Sequence, residues 1–138
     1  MQQWRNSGKM ISVGRYEIFY KKLEFSGEKR DNGDIPSIVI VHGFPSSSFD
    51  YHKVDLEELR KFGDVILFDH LGFGFSSKPE KDFTFSIFEL ADYTEMFLKQ
   101  ESTESFYTRL HVVFCIYVSA GNRKRCLDWT RHGRHGCL

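Results

Sequence analysis

Two apolar runs, "SIVIV" at Ser37–Val41 and "DVILFD" at Asp64–Asp69, each lead directly into a glycine-containing loop. Runs without polar alternation suit strands covered on both faces, as in a parallel sheet. Between them "DLEELRK", Asp55–Lys61, reads as a short helix, with Leu56 and Leu59 three apart and Gly63 as its stop. A longer helix is predicted over "FTFSIFELADYTEMFLKQ". Its apolar side follows Phe85, Phe88, Ala91 or Asp92, Glu95 and Leu98, widened by Phe97, and Ser86 with Glu89 forms a capping box. "RLHVVFCIYV" reads as another buried strand. Upstream, "KMISV", Gly14 and "RYEIFYKKLEF" read as strand, turn and strand, with Tyr16, Ile18 and Tyr20 opposing Glu17 and Phe19. The alternation after that hairpin predicts an α/β fold: a mostly parallel sheet of about five strands with two clear helices.

The chain has 138 residues, enough for one domain with a core, and its fourteen Phe argue against general disorder. Charge is unevenly spread: fourteen Lys and Arg against eighteen Asp and Glu up to residue 110, then five against one. Cys115, Cys126 and Cys137 all follow that point. The N-terminus has no signal-peptide core. The longest apolar run, Leu110–Ala120, is too short to span a bilayer, so membrane contact is not evident. An odd cysteine count implies no disulfide framework, and the composition points to a soluble, reduced, cytoplasmic chain.

Both loops follow the C-terminal end of a predicted parallel strand, the edge where α/β folds place ligands. In "HGFPSSS", Gly43 allows a turn without a Cβ clash and Pro45 stiffens it. Two readings stand: a plain strand-to-helix turn capped by Ser46–Ser48, or a cleft donor in which the Phe44 N–H stabilises an oxyanion by on the order of 3 kcal/mol. In "DHLGFGFSSKP", Gly72 and Gly74 alternate with Phe73 and Phe75. No Gly-Lys-Ser/Thr follows and no helix starts directly after the glycines, which argues against a nucleotide site. The loop reads instead as a bend in which Asp69 and Ser76 satisfy backbone donors.

"HGFP" followed by "DHLGFGFSSKP" resembles the α/β-hydrolases of the epoxide hydrolase and haloalkane dehalogenase branch. The resemblance covers residues 4–113. It implies an eight-stranded sheet with a lid, a small-molecule substrate, and hydrolysis of ester, epoxide or carbon–halogen bonds. His42, Gly43, Phe44 and Pro45 take the places of the HG-x-P turn, with the Phe44 N–H as an oxyanion donor. Asp69, Gly72, Gly74 and Ser76 form the second motif. The resemblance implies no cofactor, and it admits an endoplasmic reticulum membrane for full-length relatives.

The same resemblance requires a nucleophile elbow, small–x–nucleophile–x–small, after the next strand. Phe114 to Val118 fall there, and Ile116 stands at the nucleophile's place. Ser119 in "YVSAG" is an alternative, although Tyr117 fills a position that should be small. Cys115 is one residue off register, which on a strand means the opposite face. Of the acid and histidine a triad needs, the sequence offers Asp128, His132 and His135. Cys126, His132, His135 and Cys137 match no common zinc spacing, so no metal is expected. The basic residues there lack interleaved aromatics, and no nucleic-acid partner is expected. The expectation is a hydrolase domain over 1–113 and a divergent tail over 114–138: a truncated, catalytically incomplete form ending in an alternative exon, a retained intron or a shifted frame. A non-catalytic interaction fragment and a serine hydrolase using Ser119 are the alternatives. An apolar edge on the last strand, left unpaired, would favour aggregation.

Overall fold

The computed structural model describes residues 1–28, 35 and 37–101, and the backbone of 110–115 and 126–129. In chain order the elements are α1 (Gln2–Asn6), β1 (Lys9–Val13), β2 (Tyr16–Leu23), β3 (Ser37–Val41), a 3-10 turn (Ser48–Lys53), α2 (Leu56–Leu59), β4 (Asp64–Phe68), α3 (Ile87–Glu101), β5 (Leu110–Cys115) and β6 (Cys126–Trp129). They build one sheet of six strands in the order β1-β2-β4-β3-β5-β6. β3 pairs in parallel with β4 and with β5, while β1–β2, β2–β4 and β5–β6 are antiparallel. The sheet is therefore mixed, with its parallel strands at the centre.

The uninterrupted runs are explained by burial on both faces. Val13, Ile18, Tyr20, Val39, Val41, Ile66 and Phe68 meet Phe97 and Leu98 of α3. Phe19, Leu23, Ile40, Val65 and Leu67 meet Trp4 of α1, Tyr51 of the 3-10 turn and Leu56 of α2. Phe19, expected on a more polar face of β2, is thus as buried as Ile18, because α1 and the loops cover that side. The short helix begins at Asp55, whose carboxylate accepts the Glu58 N–H at 3.1 Å.

Three further expectations need correction. Residues Cys126–Trp129 form β6, with Asp128 opposite Val113. That strand occupies the edge of β5 expected to be open. α3 starts later than predicted and turns a different face inward: Leu90, Tyr93, Phe97 and Leu98 pack on the sheet, while Ile87 and Phe88 are exposed. Its cap is half a capping box. Ser86 Oγ accepts the Glu89 N–H at 3.1 Å, but the Glu89 carboxylate binds the Thr84 N–H and hydroxyl, both at 2.7 Å.

Candidate active site

Two turns stand side by side because β3 and β4 are parallel neighbours, with Val41 opposite Phe68. The first is His42–Ser47. The Phe44–Pro45 peptide is cis, and the left-handed glycines among the described residues are Gly14, Gly72 and Gly74, so Gly43 turns without a positive φ. His42 is buried. Its Nε2 accepts the His70 N–H at 3.0 Å, so the ring proton lies on Nδ1 and is donated to the Gly43 carbonyl at 2.8 Å. The Ser46 hydroxyl donates to Asp50 Oδ2. The Tyr51 hydroxyl donates to the last β3 carbonyl, Val41 O, at 3.1 Å. Ser48 is buried, and its Oγ accepts Trp4 Nε1–H at 3.3 Å.

Asp69 begins the second turn with no exposed surface. Its Oδ1 accepts the Ser48 N–H at 2.6 Å and its Oδ2 the Phe75 N–H at 2.8 Å. One carboxylate therefore ties the end of the first turn to the middle of the second, with two charge-assisted hydrogen bonds in place of water. Gly74 has φ +49°, and a Cβ there would overlap that carboxylate. Ser76 completes the bend: its hydroxyl donates to the Asp69 carbonyl at 2.6 Å and accepts the Phe19 N–H at 2.9 Å. Ser77 adds its own N–H to Glu17 O at 2.9 Å, so the bend continues the edge of β2.

The two turns are thus braced twice, by Asp69 to Ser48 and by His70 to His42. Phe73 packs edge-on against His42 at 5.8 Å and Phe44 at 5.3 Å. The Phe44 side chain is 77% exposed, and its N–H has no hydrogen-bond partner among the described residues. His70 lies 4.9 Å from His42, ring to ring. Burial, and then the neighbouring His42, push its imidazole down to about 4, which keeps it neutral near pH 7. His70 and Trp4 were missed in the sequence, Ser48 was read there only as a cap, and Phe73 only as a loop residue between glycines. Ile116, Ser119, His132 and His135 lie outside the described residues, and Cys115 and Cys126 are strand-end positions of β5 and β6. Among the described residues no three His, Cys, Asp or Glu side chains gather as metal ligands, and no helix is long and apolar enough to cross a membrane.

The alpha/beta hydrolase fold family profile matches residues 36–107, more than half of the chain. The chain belongs to the α/β-hydrolase family. The mesoderm-specific transcript protein of Mus musculus is 37% identical over 99 residues, 72% of this chain and 28% of that protein. The proline iminopeptidase of Lactobacillus helveticus is 39% identical over 74 residues, 53% of this chain and 23% of that one. A haloalkane dehalogenase loop variant from Bradyrhizobium elkanii superposes with a TM-score of 0.61 at 24% identity, covering 80% of this chain and 32% of the dehalogenase. That likeness shows the fold. The chain spans less than a third of the length of each of these three.

Proposed function

We propose that this chain presents the oxyanion side of an α/β-hydrolase centre, with the Phe44 N–H as one donor, and that the chain itself lacks the nucleophile. The substrates of such a centre are small molecules with an ester, epoxide or carbon–halogen bond. The observation that carries the reading is the doubly braced turn whose Phe44 N–H has no acceptor among the described residues. A donor fixed before the reaction needs no reorganisation when negative charge develops. The register supports the placement: Val41 stands opposite Phe114, so β3 and β5 end at the same edge of the sheet.

The residue two beyond Phe114 is Ile116. It has no lone pair to attack with and no proton to exchange. Hydrolysis by this route needs nucleophile, base and donors together, and residues 1–113 supply the donor side. The test is turnover of p-nitrophenyl acetate and styrene oxide by the purified chain, beside Ser119→Ala. The expected result is no multiple turnover in either protein. Turnover near about one per second, abolished in Ser119→Ala, would overturn the reading and give Ser119 the nucleophile's role.

A second reading, a non-catalytic interaction fragment, draws on the exposed Ile87 and Phe88, adjacent at the start of α3. Adjacent exposed apolar side chains of that size suit a contact site. Light scattering of the chain and of a Phe88→Ser variant separates the readings: a fall in mass on substitution supports association through α3.

A further inference from the structure

Cys115 is the last residue of β5 and Cys126 the first of β6, and the antiparallel register sets them directly opposite each other. Opposite residues of an antiparallel pair share one face of the sheet. Their Cα atoms lie about 5.5 Å apart in a hydrogen-bonded pair and about 4.5 Å in a non-hydrogen-bonded one. Both separations fall within the range of about 4.4–6.8 Å that a disulfide spans. We propose that Cys115 and Cys126 form a reversible disulfide that clips β6 onto the edge of β5.

The oxidant is a small-molecule disulfide such as oxidised glutathione. The thiolate of one cysteine attacks a glutathione sulfur, forming a mixed disulfide and releasing one glutathione thiolate. The thiolate of the other cysteine attacks the protein sulfur of that mixed disulfide and releases the second. Two protein thiols are oxidised, one glutathione disulfide is reduced to two thiols, and the two cysteine protons pass to the released thiolates. β6 has four residues, so a covalent clip matters more there than on a longer strand. With β6 released, β5 offers an unpaired edge to other chains. Glutathione-buffered surroundings would thus set whether that edge is covered.

The third cysteine supplies an internal control. Cys137 follows Cys126 by the same eleven positions as Cys126 follows Cys115. Loops of equal length carry equal closure entropy, so an unstructured chain joins Cys126 to either neighbour about equally. The full chain is reduced, exposed to oxidised glutathione, quenched in acid, alkylated and digested with trypsin without reduction. Mass spectrometry then reads the crosslinked peptides. In native buffer the Cys115–Cys126 link should exceed Cys126–Cys137 by about tenfold, falling to about parity in concentrated urea. Parity in native buffer, an excess of Cys126–Cys137, or glutathione adducts without a link would overturn the proposal. In Cys137→Ser, oxidation should slow hydrogen exchange at Leu110–Cys115 by about tenfold relative to the reduced chain. A link that forms without slowing that exchange would overturn the clip.

Discussion

Replacing Gly74 with alanine should be among the most damaging single changes in this chain. Gly74 sits at φ +49°, where an L side chain costs about 1–2 kcal/mol. The new Cβ would also overlap Oδ2 and Cγ of Asp69, so the carboxylate must leave its place. It then releases the Phe75 N–H, held at 2.8 Å, and the buried Ser48 N–H, held at 2.6 Å. Each donor left unsatisfied costs about 1–3 kcal/mol. The sum, about 3–8 kcal/mol, is comparable with the whole stability of a small domain. Gly14→Ala is the control. Its φ of +59° carries the same conformational cost, but its Cβ would meet Tyr93 at an ordinary 3.5 Å, so about 1–2 kcal/mol is expected. Urea unfolding followed by tryptophan fluorescence measures both. In an Asp69→Ala background the Gly74 substitution should lose its overlap and cost no more than the Gly14 control. Equal losses for the two glycines in the parent chain would refute the claim that the Asp69 carboxylate holds the second turn.

Stability should fall as pH drops from about 6.5 to about 4, because unfolded His70 takes up a proton that the folded site refuses until about 4. The shift corresponds to about 2–3 kcal/mol once partial exposure is allowed for, and His70→Gln should flatten that part of the urea-midpoint profile. At the other end, burial and then the Glu101 carboxylate push Tyr20 up to about 12. Its contribution is present below about 10 and lost between about 10 and 12, and Tyr20→Phe should remove that alkaline slope. Trp4→Phe keeps most of the packing but loses the Nε1–H bond to Ser48. A loss of about 1 kcal/mol is expected, with faster hydrogen exchange at the Ser48 amide.

What was legible in the sequence follows from which forces are local. The strands "KMISV" and "SIVIV" occupy the residues read for them, Lys9–Val13 and Ser37–Val41, because strand burial with flanking turn residues is written in consecutive positions. The second bend was also readable, since a short polar side chain beside glycines takes a nearby donor, as Asp69 takes the Phe75 N–H, whereas the Ser48 and Phe19 donors are remote in the sequence. α3 was misread around its axis. Phe85, Ile87 and Phe88 crowd its start with apolar residues on several sides, so spacing alone could not choose a face, and packing against Tyr20 and Phe68 through Phe97 chose it instead. The five-residue α1 is too short to show a period. Trp4 earns its burial from Ser48 and Phe49, more than forty positions away. The His42–His70 brace is likewise a product of strand order, because nothing local tells two histidines that their strands will be neighbours.

That strand order has a consequence for a chain made from its N-terminus on the ribosome. β1 and β2 are joined by a tight turn and can pair as soon as both have emerged. β3 cannot join them, because β4 takes the place between β2 and β3. Until β4 is synthesised, one edge of β2 and both edges of the apolar β3 wait without partners, open to whatever else is in reach. Emergence of Asp64–Phe68 then closes two gaps at once, and the Asp69 carboxylate that follows immediately ties down turns on both sides of the new strand. The interval between the "SIVIV" and "DVILF" segments is therefore the period of greatest exposure during translation, and a slow codon placed within it would lengthen that window.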